Sequence, residues 1–119
     1  MKRLALILTA FSLFSLSASA ASAAEIRKKK QFIEEVAARK LVMGHSWVTI
    51  APLGSVTGQG PKGGEITGNW RWDKRYYCRD ITIDGVPLPP DCQSVSIRGN
   101  VVTFTHDKGK GVPVSWIIE

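Results

Sequence analysis

From residue 41 onward, apolar and polar positions alternate in short runs broken by Gly, Pro, Asn and Asp. A period of two is the signature of strands with one face turned to a core. The clearest case is 65–72, where Ile66, Gly68, Trp70 and Trp72 share one face and Thr67, Asn69 and Arg71 the other. Runs at 41–42, 47–50, 55–57, 76–83, 93–98, 101–106 and 114–118 read the same way, with residues 59–64 as a loop. Asp84-Gly85 and Gly99-Asn100 are two-residue hairpin signals, and Pro87, Pro89 and Pro90 place the segment between them at an edge or in a loop.

Residues 24–40 follow a different rule. They contain no Gly or Pro, and Phe32, Ile33, Val36 and Ala37 recur at offsets of three and four, which predicts a short amphipathic helix. Its apolar stripe must be covered. The fold class expected is therefore mainly β with one N-terminal helix: a small antiparallel, barrel-like or strongly curled sheet of roughly seven to eight short strands.

Before the helix the pattern is that of a leader. Lys2 and Arg3 precede the apolar run 4–16 and the small residues that end in Ala21-Ser22-Ala23, a secretory signal peptide cleaved before Ala24. The apolar run is too short to span a bilayer, which takes about 20 residues. The expected organisation is a signal peptide over 1–23 and one β-rich domain over 24–119, with the helix in 24–40 and the strands in 41–119, located in the periplasm or secreted.

That compartment bears on the cysteines. Cys78 and Cys92 are the only two in the chain, and oxidising conditions predict a structural disulfide. In the chain-entropy model a loop of this length is worth about 3 kcal/mol. The spacing is not the close pair of a redox site, nor are there enough ligands for a metal.

The formal charge of +6 falls to +4 once Lys2 and Arg3 are removed. Arg27, Lys28, Lys29 and Lys30 account for the remainder, so no basic face for nucleic acid is indicated. Those four form a solvated helix start, with a weak contact to an anionic surface as their one partner role.

Two motifs fail on context. Gly58-x-Gly60-x-x-Gly63 has the spacing of a dinucleotide fingerprint, yet a strand pattern follows where a helix should begin, so no cofactor is expected. His45 and His106 lie in no zinc or nucleophile-elbow motif, so neither a catalytic set nor a metal set is expected.

The richest chemistry lies in 68–93, which holds Trp70, Trp72, Tyr76 and Tyr77 among Arg71, Lys74, Arg75 and Arg79. Trp70 and Trp72 belong to the core by their shared face, and Arg79 with Asp80 is expected to form a local salt bridge. The candidate binding residues are Arg71, Tyr76, Tyr77 and Arg79, with His45 and Trp47 as secondary candidates. They suit an envelope protein, glycan or lipid.

Several elements in fixed order carry a resemblance. These are Phe32 and Val36 in the helix, then Gly68-Asn69-Trp70-Arg71-Trp72, Tyr77-Cys78-Arg79-Asp80, Asp91-Cys92-Gln93, Arg98-Gly99-Asn100 and Phe104-x-x-Asp107-x-Gly109. Together they resemble a family of small secreted alphaproteobacterial proteins over nearly all of 24–119. The family implies no established function. Some members carry the name dihydrodipicolinate reductase, which would imply a nicotinamide-dependent cytoplasmic enzyme and conflicts with the leader, the short β-rich domain and the failed glycine motif. The chain departs from the family at Lys74-Arg75, where relatives have glycine before the aromatic pair.

The functional expectation is a non-enzymatic periplasmic binding or structural domain. An inhibitor of a secreted protease, with residues 24–31 as its inserting piece, is the alternative. An enzyme is disfavoured because no acid, base, nucleophile or metal constellation is visible.

Overall fold

The computed structural model describes residues 22–119, so the expected leader lies outside the described residues apart from Ser22 and Ala23. Ten strands and one helix follow: β1 (Ala24–Ile26), α1 (Lys29–Glu35), β2 (Lys40–Met43), β3 (Ser46–Ile50), β4 (Ser55–Gln59), β5 (Glu65–Asp73), β6 (Tyr76–Ile83), β7 (Val86–Pro87), β8 (Asp91–Arg98), β9 (Val101–Thr105) and β10 (Pro113–Ile118). A 3-10 turn, Asp107–Gly109, lies between β9 and β10.

Eight of these strands close on themselves. β2 to β6 and β8 to β10 pair in the ring order 2-3-4-5-6-8-9-10, all antiparallel, and β10 returns to β2 through Ile117↔Val42 and Ile118↔Leu41. The expected small antiparallel barrel is thus an up-and-down barrel. Alternation sends Val48, Ile50, Val56, Ile66, Trp70, Tyr77, Val95, Val102 and Phe104 into one buried core, as the period-two pattern requires.

The two additional strands guard a seam. β6 meets β8 over three residue pairs, Tyr77↔Gln93, Cys78↔Cys92 and Arg79↔Asp91, and the disulfide joins the middle pair. Beyond it the strands diverge. β1 then occupies the edge of β8 from Val95 to Ile97, and β7 the edge of β6 at Thr82 and Ile83. Unpaired backbone that would template aggregation is covered in this way.

The helix is shorter than residues 24–40. Residues 24–26 are strand, because Ile26 gains a fully buried place and a ladder with β8. Helix α1 ends where Val36 leaves helical geometry and Ala38 adopts φ 63. No acidic residue occupies its first turn, and Lys28, Lys29 and Lys30 crowd the end where the helix dipole disfavours cations. Packing holds it instead. Phe32 is fully buried, with ring centroids 5.1 Å from Trp70, 5.2 Å from Trp72 and 5.4 Å from Tyr77. The helix therefore plugs the barrel, and the indole N–H groups of Trp70 and Trp72 donate to the carbonyls of Ala51 (2.7 Å) and Lys74 (2.9 Å).

Strand curvature is bought at Gly68, which faces inward between large neighbours. A Cβ there would collide with the carbonyl oxygen of Asp80 and the Cα of Ile81 on the next strand. No helix among the described residues is long and apolar enough to cross a membrane.

Candidate functional site

The register of β5 against β6 decides which charged side chains enter the barrel. Trp72 pairs with Tyr77 and Trp70 with Arg79, so residues 77, 79, 81 and 83 face inward like the tryptophans. On β8 the inward set begins with Asp91 and Gln93, and on β9 it continues through Phe104 to His106. Arg79, Asp91, Gln93 and His106 thereby form one polar patch on an inner wall that is mostly apolar.

Within that patch Asp91 is the hub. Its Oδ2 lies 2.7 Å from His106 Nδ1 and accepts from Gln93 Nε2 at 2.9 Å, while Oδ1 accepts from the Asp107 backbone N–H at 3.1 Å. Partial burial pushes the Asp91 carboxyl up, but the hydrogen bonds from Gln93, His106 and Asp107 and the nearby histidine charge outweigh it and hold it below the usual carboxylate range.

Arg79 is left over. Asp91 stands directly opposite on β8, yet its oxygens are committed to His106, Gln93 and Asp107. Among the described residues no carboxylate forms an ion pair with Arg79, whose guanidinium donates to the Pro89 carbonyl at 3.3 Å. A guanidinium carries five N–H donors, so most of its capacity is uncommitted by that one bond.

Beside the patch is a cavity of about 140 Å³ walled by Val48, Val56, Ile81, Ile83, Val114 and Trp116. Tyr77 and Phe104 form its floor and, on their other side, meet Phe32 of the plug. Burial drives the Tyr77 phenol well above the ordinary tyrosine range, with the Arg79 charge working the other way. Arg79, Asp91 and His106 also border a second, open cavity of about 350 Å³, together with Leu88, Pro89, Pro90 and Asp107. Arg79, Leu88 and His106 thus line both the apolar chamber and this second cavity.

The candidates named from sequence do not share a face. Tyr77 is 4% exposed and belongs to the core, and Arg79 points inward; both follow from the parity of β6. Arg79 and Asp80 alternate to opposite faces, so the salt bridge expected between them is absent. Arg71 is exposed, lies 3.7 Å from Asp73, and lines an outer groove of about 340 Å³ with Asn69, Asp80 and the disulfide. Tyr76 is half-buried, with Arg75 and Lys108 each 5.6 Å from its ring centre. His45 is exposed in the β2–β3 turn, and Trp47 lies on the outer face of β3 beneath Lys40. Arg71 and Arg79 both border the outer groove, whereas His45 and Trp47 contribute nothing to either cavity.

Asp91, Gln93 and His106 carried no local motif that could single them out. They are brought together by the β8–β9 register and by the bend that follows Thr105 at the end of β9. The histidine–carboxylate pair has the geometry that orients a catalytic imidazole, but no serine, threonine or cysteine side chain shares a hydrogen bond with His106 among the described residues. No group of three or more His, Cys, Asp or Glu side chains among them is placed to hold a metal ion.

Arg27, Lys28, Lys29 and Lys30 are all exposed. Glu25 links β1 to the β5–β6 turn, its Oε2 lying 3.3 Å from Arg27 and its Oε1 3.1 Å from Arg75. Residues 24–31 are accordingly committed to β1 and the first turn of α1. In comparison with known proteins, no family model matches the chain, and no curated protein and no solved structure matches it.

Proposed function

We propose that the chain is a secreted, non-enzymatic binding protein that receives a small, partly apolar ligand in the open part of its barrel. The observation that supports this is the chamber beside Leu88: a mostly apolar space in the barrel wall, lined also by Arg79, which holds no ionic partner among the described residues. Binding sites of this type combine apolar walls with a few placed polar groups. The chamber is close in size to a cavity of about 150 Å³ that takes one benzene ring. One ring or a short branched alkyl group is therefore the apolar part it suits.

Toluene titrated into methyl-labelled protein tests this reading. Saturable shifts confined to the chamber methyls, those of Val48, Ile50, Val56, Ile81, Ile83, Leu88 and Val114, lost in Ile83→Phe where the ring fills the space, are expected. Absence of saturable shifts at those methyls would sink it.

A further inference from the structure

Resting on that reading, we infer that the ligand is a small organic monoanion, a carboxylate bearing one ring-sized apolar group, and that Arg79 is its anion receptor. Three observations converge on this chemistry. Arg79 lines both the apolar chamber and the neighbouring open cavity, where its guanidinium donates to the Pro89 carbonyl, so it is within reach of a molecule seated in the chamber. Its cross-strand neighbour Asp91 does not neutralise it, because that carboxylate is turned to His106, Gln93 and the Asp107 amide. The single Pro89 carbonyl bond leaves donors enough for a bidentate carboxylate, the geometry in which arginine outperforms lysine.

The charge of Asp91 works against any anion nearby. Its three hydrogen bonds, from Gln93, His106 and the Asp107 amide, offset part of that repulsion by delocalising the carboxylate charge onto its donors. A neutral ligand would add no charge-assisted bond to the guanidinium beyond what the Pro89 carbonyl and solvent supply, and a cationic one would be repelled by it. The anion is the species for which the wall is built.

Three ligands of matched shape separate the possibilities: 3-phenylpropanoate, 3-phenylpropanol and 3-phenylpropylamine, each titrated into the intact protein at pH 7 with the Ile, Leu and Val methyls as readout. The acid should bind at least roughly tenfold more tightly than the alcohol, the size expected of a charge-assisted hydrogen-bonded pair, and the amine weakest. In Arg79→Met the preference should vanish while alcohol binding persists, which shows that the variant is folded and the chamber intact. Arg79→Lys should restore part of the preference. Equal binding of acid and alcohol, or an acid preference that survives in Arg79→Met, overturns the inference and leaves the apolar chamber standing. Failure of all three ligands removes the chamber reading as well.

Discussion

Cys78 and Cys92 stand directly opposite one another, their Cα atoms 3.9 Å apart, as the middle pair of the three that join β6 to β8. On either side of this seam the two strands take other partners, β7 and β1. The bond therefore closes the barrel where its hydrogen-bonded ladder is short. Replacing both cysteines by alanine should cost about 3 kcal/mol, the value for a loop of this length. The fall in urea midpoint relative to the parent measures it, and an unchanged midpoint would show that the ladder alone holds the seam.

Phe32 touches Trp70, Trp72, Tyr77 and Phe104 from a helix with no favourable terminal charges of its own. Phe32→Ala should destabilise the protein by about 3–5 kcal/mol, the range for a large buried aromatic. In a small domain that is a large share of the total. Arg71→Ala, on the exposed outer groove, should stay within about 0.5 kcal/mol. Thermal unfolding of the two variants side by side makes the comparison.

The Asp91 carboxyl is held below its ordinary range in the folded protein, so its contribution to stability is present above the unfolded value, about pH 4, and is lost as pH falls through the folded value. Asp91→Asn should therefore be less stable than the parent at pH 6, by about 1–2 kcal/mol for the loss of charge-assisted bonds. The gap should close as pH falls through the folded value, where the parent carboxyl becomes protonated too. Urea midpoints across that range provide the check, and a constant gap would assign the effect to packing.

Lys74 holds φ 58 in the two-residue turn between Asp73 and Tyr76, a conformation that costs an L-residue about 1 kcal/mol. Glycine adopts it without strain. Lys74→Gly should raise stability by up to about 1 kcal/mol, less what glycine loses in chain entropy, because the carbonyl that accepts the Trp72 indole remains. A lowered melting temperature would show that the lysine side chain has a role of its own.

Much of this fold was legible in local pattern. The two faces of β5, the hairpin turns at Asp84-Gly85 and Gly99-Asn100 and the cystine follow from period, turn chemistry and compartment, and the strands pair accordingly. Strand β1 was not legible: three residues carry no period, and they become a strand only through contact with β8. The inward direction of Tyr77 and Arg79 was written in the sequence. With Trp72 facing inward and a two-residue turn at Lys74-Arg75, parity places Tyr77 and then Arg79 beside the tryptophans. The cluster of Asp91, Gln93 and His106 has no such shortcut, since the β8–β9 register and the bend after Thr105 exist only in the assembled barrel.

The return of β10 to β2 has a consequence in time. Every other barrel pairing joins strands adjacent in the ring sequence, but this one unites its first and last, through Val42 with Ile117 and Leu41 with Ile118. Val114 and Trp116 arrive on that same closing strand and supply part of the chamber wall. The chamber consequently has no partial form: a chain synthesised from its N-terminus presents Arg79 well before Val114 and Trp116 complete the wall, so the cavity is a property of the finished barrel.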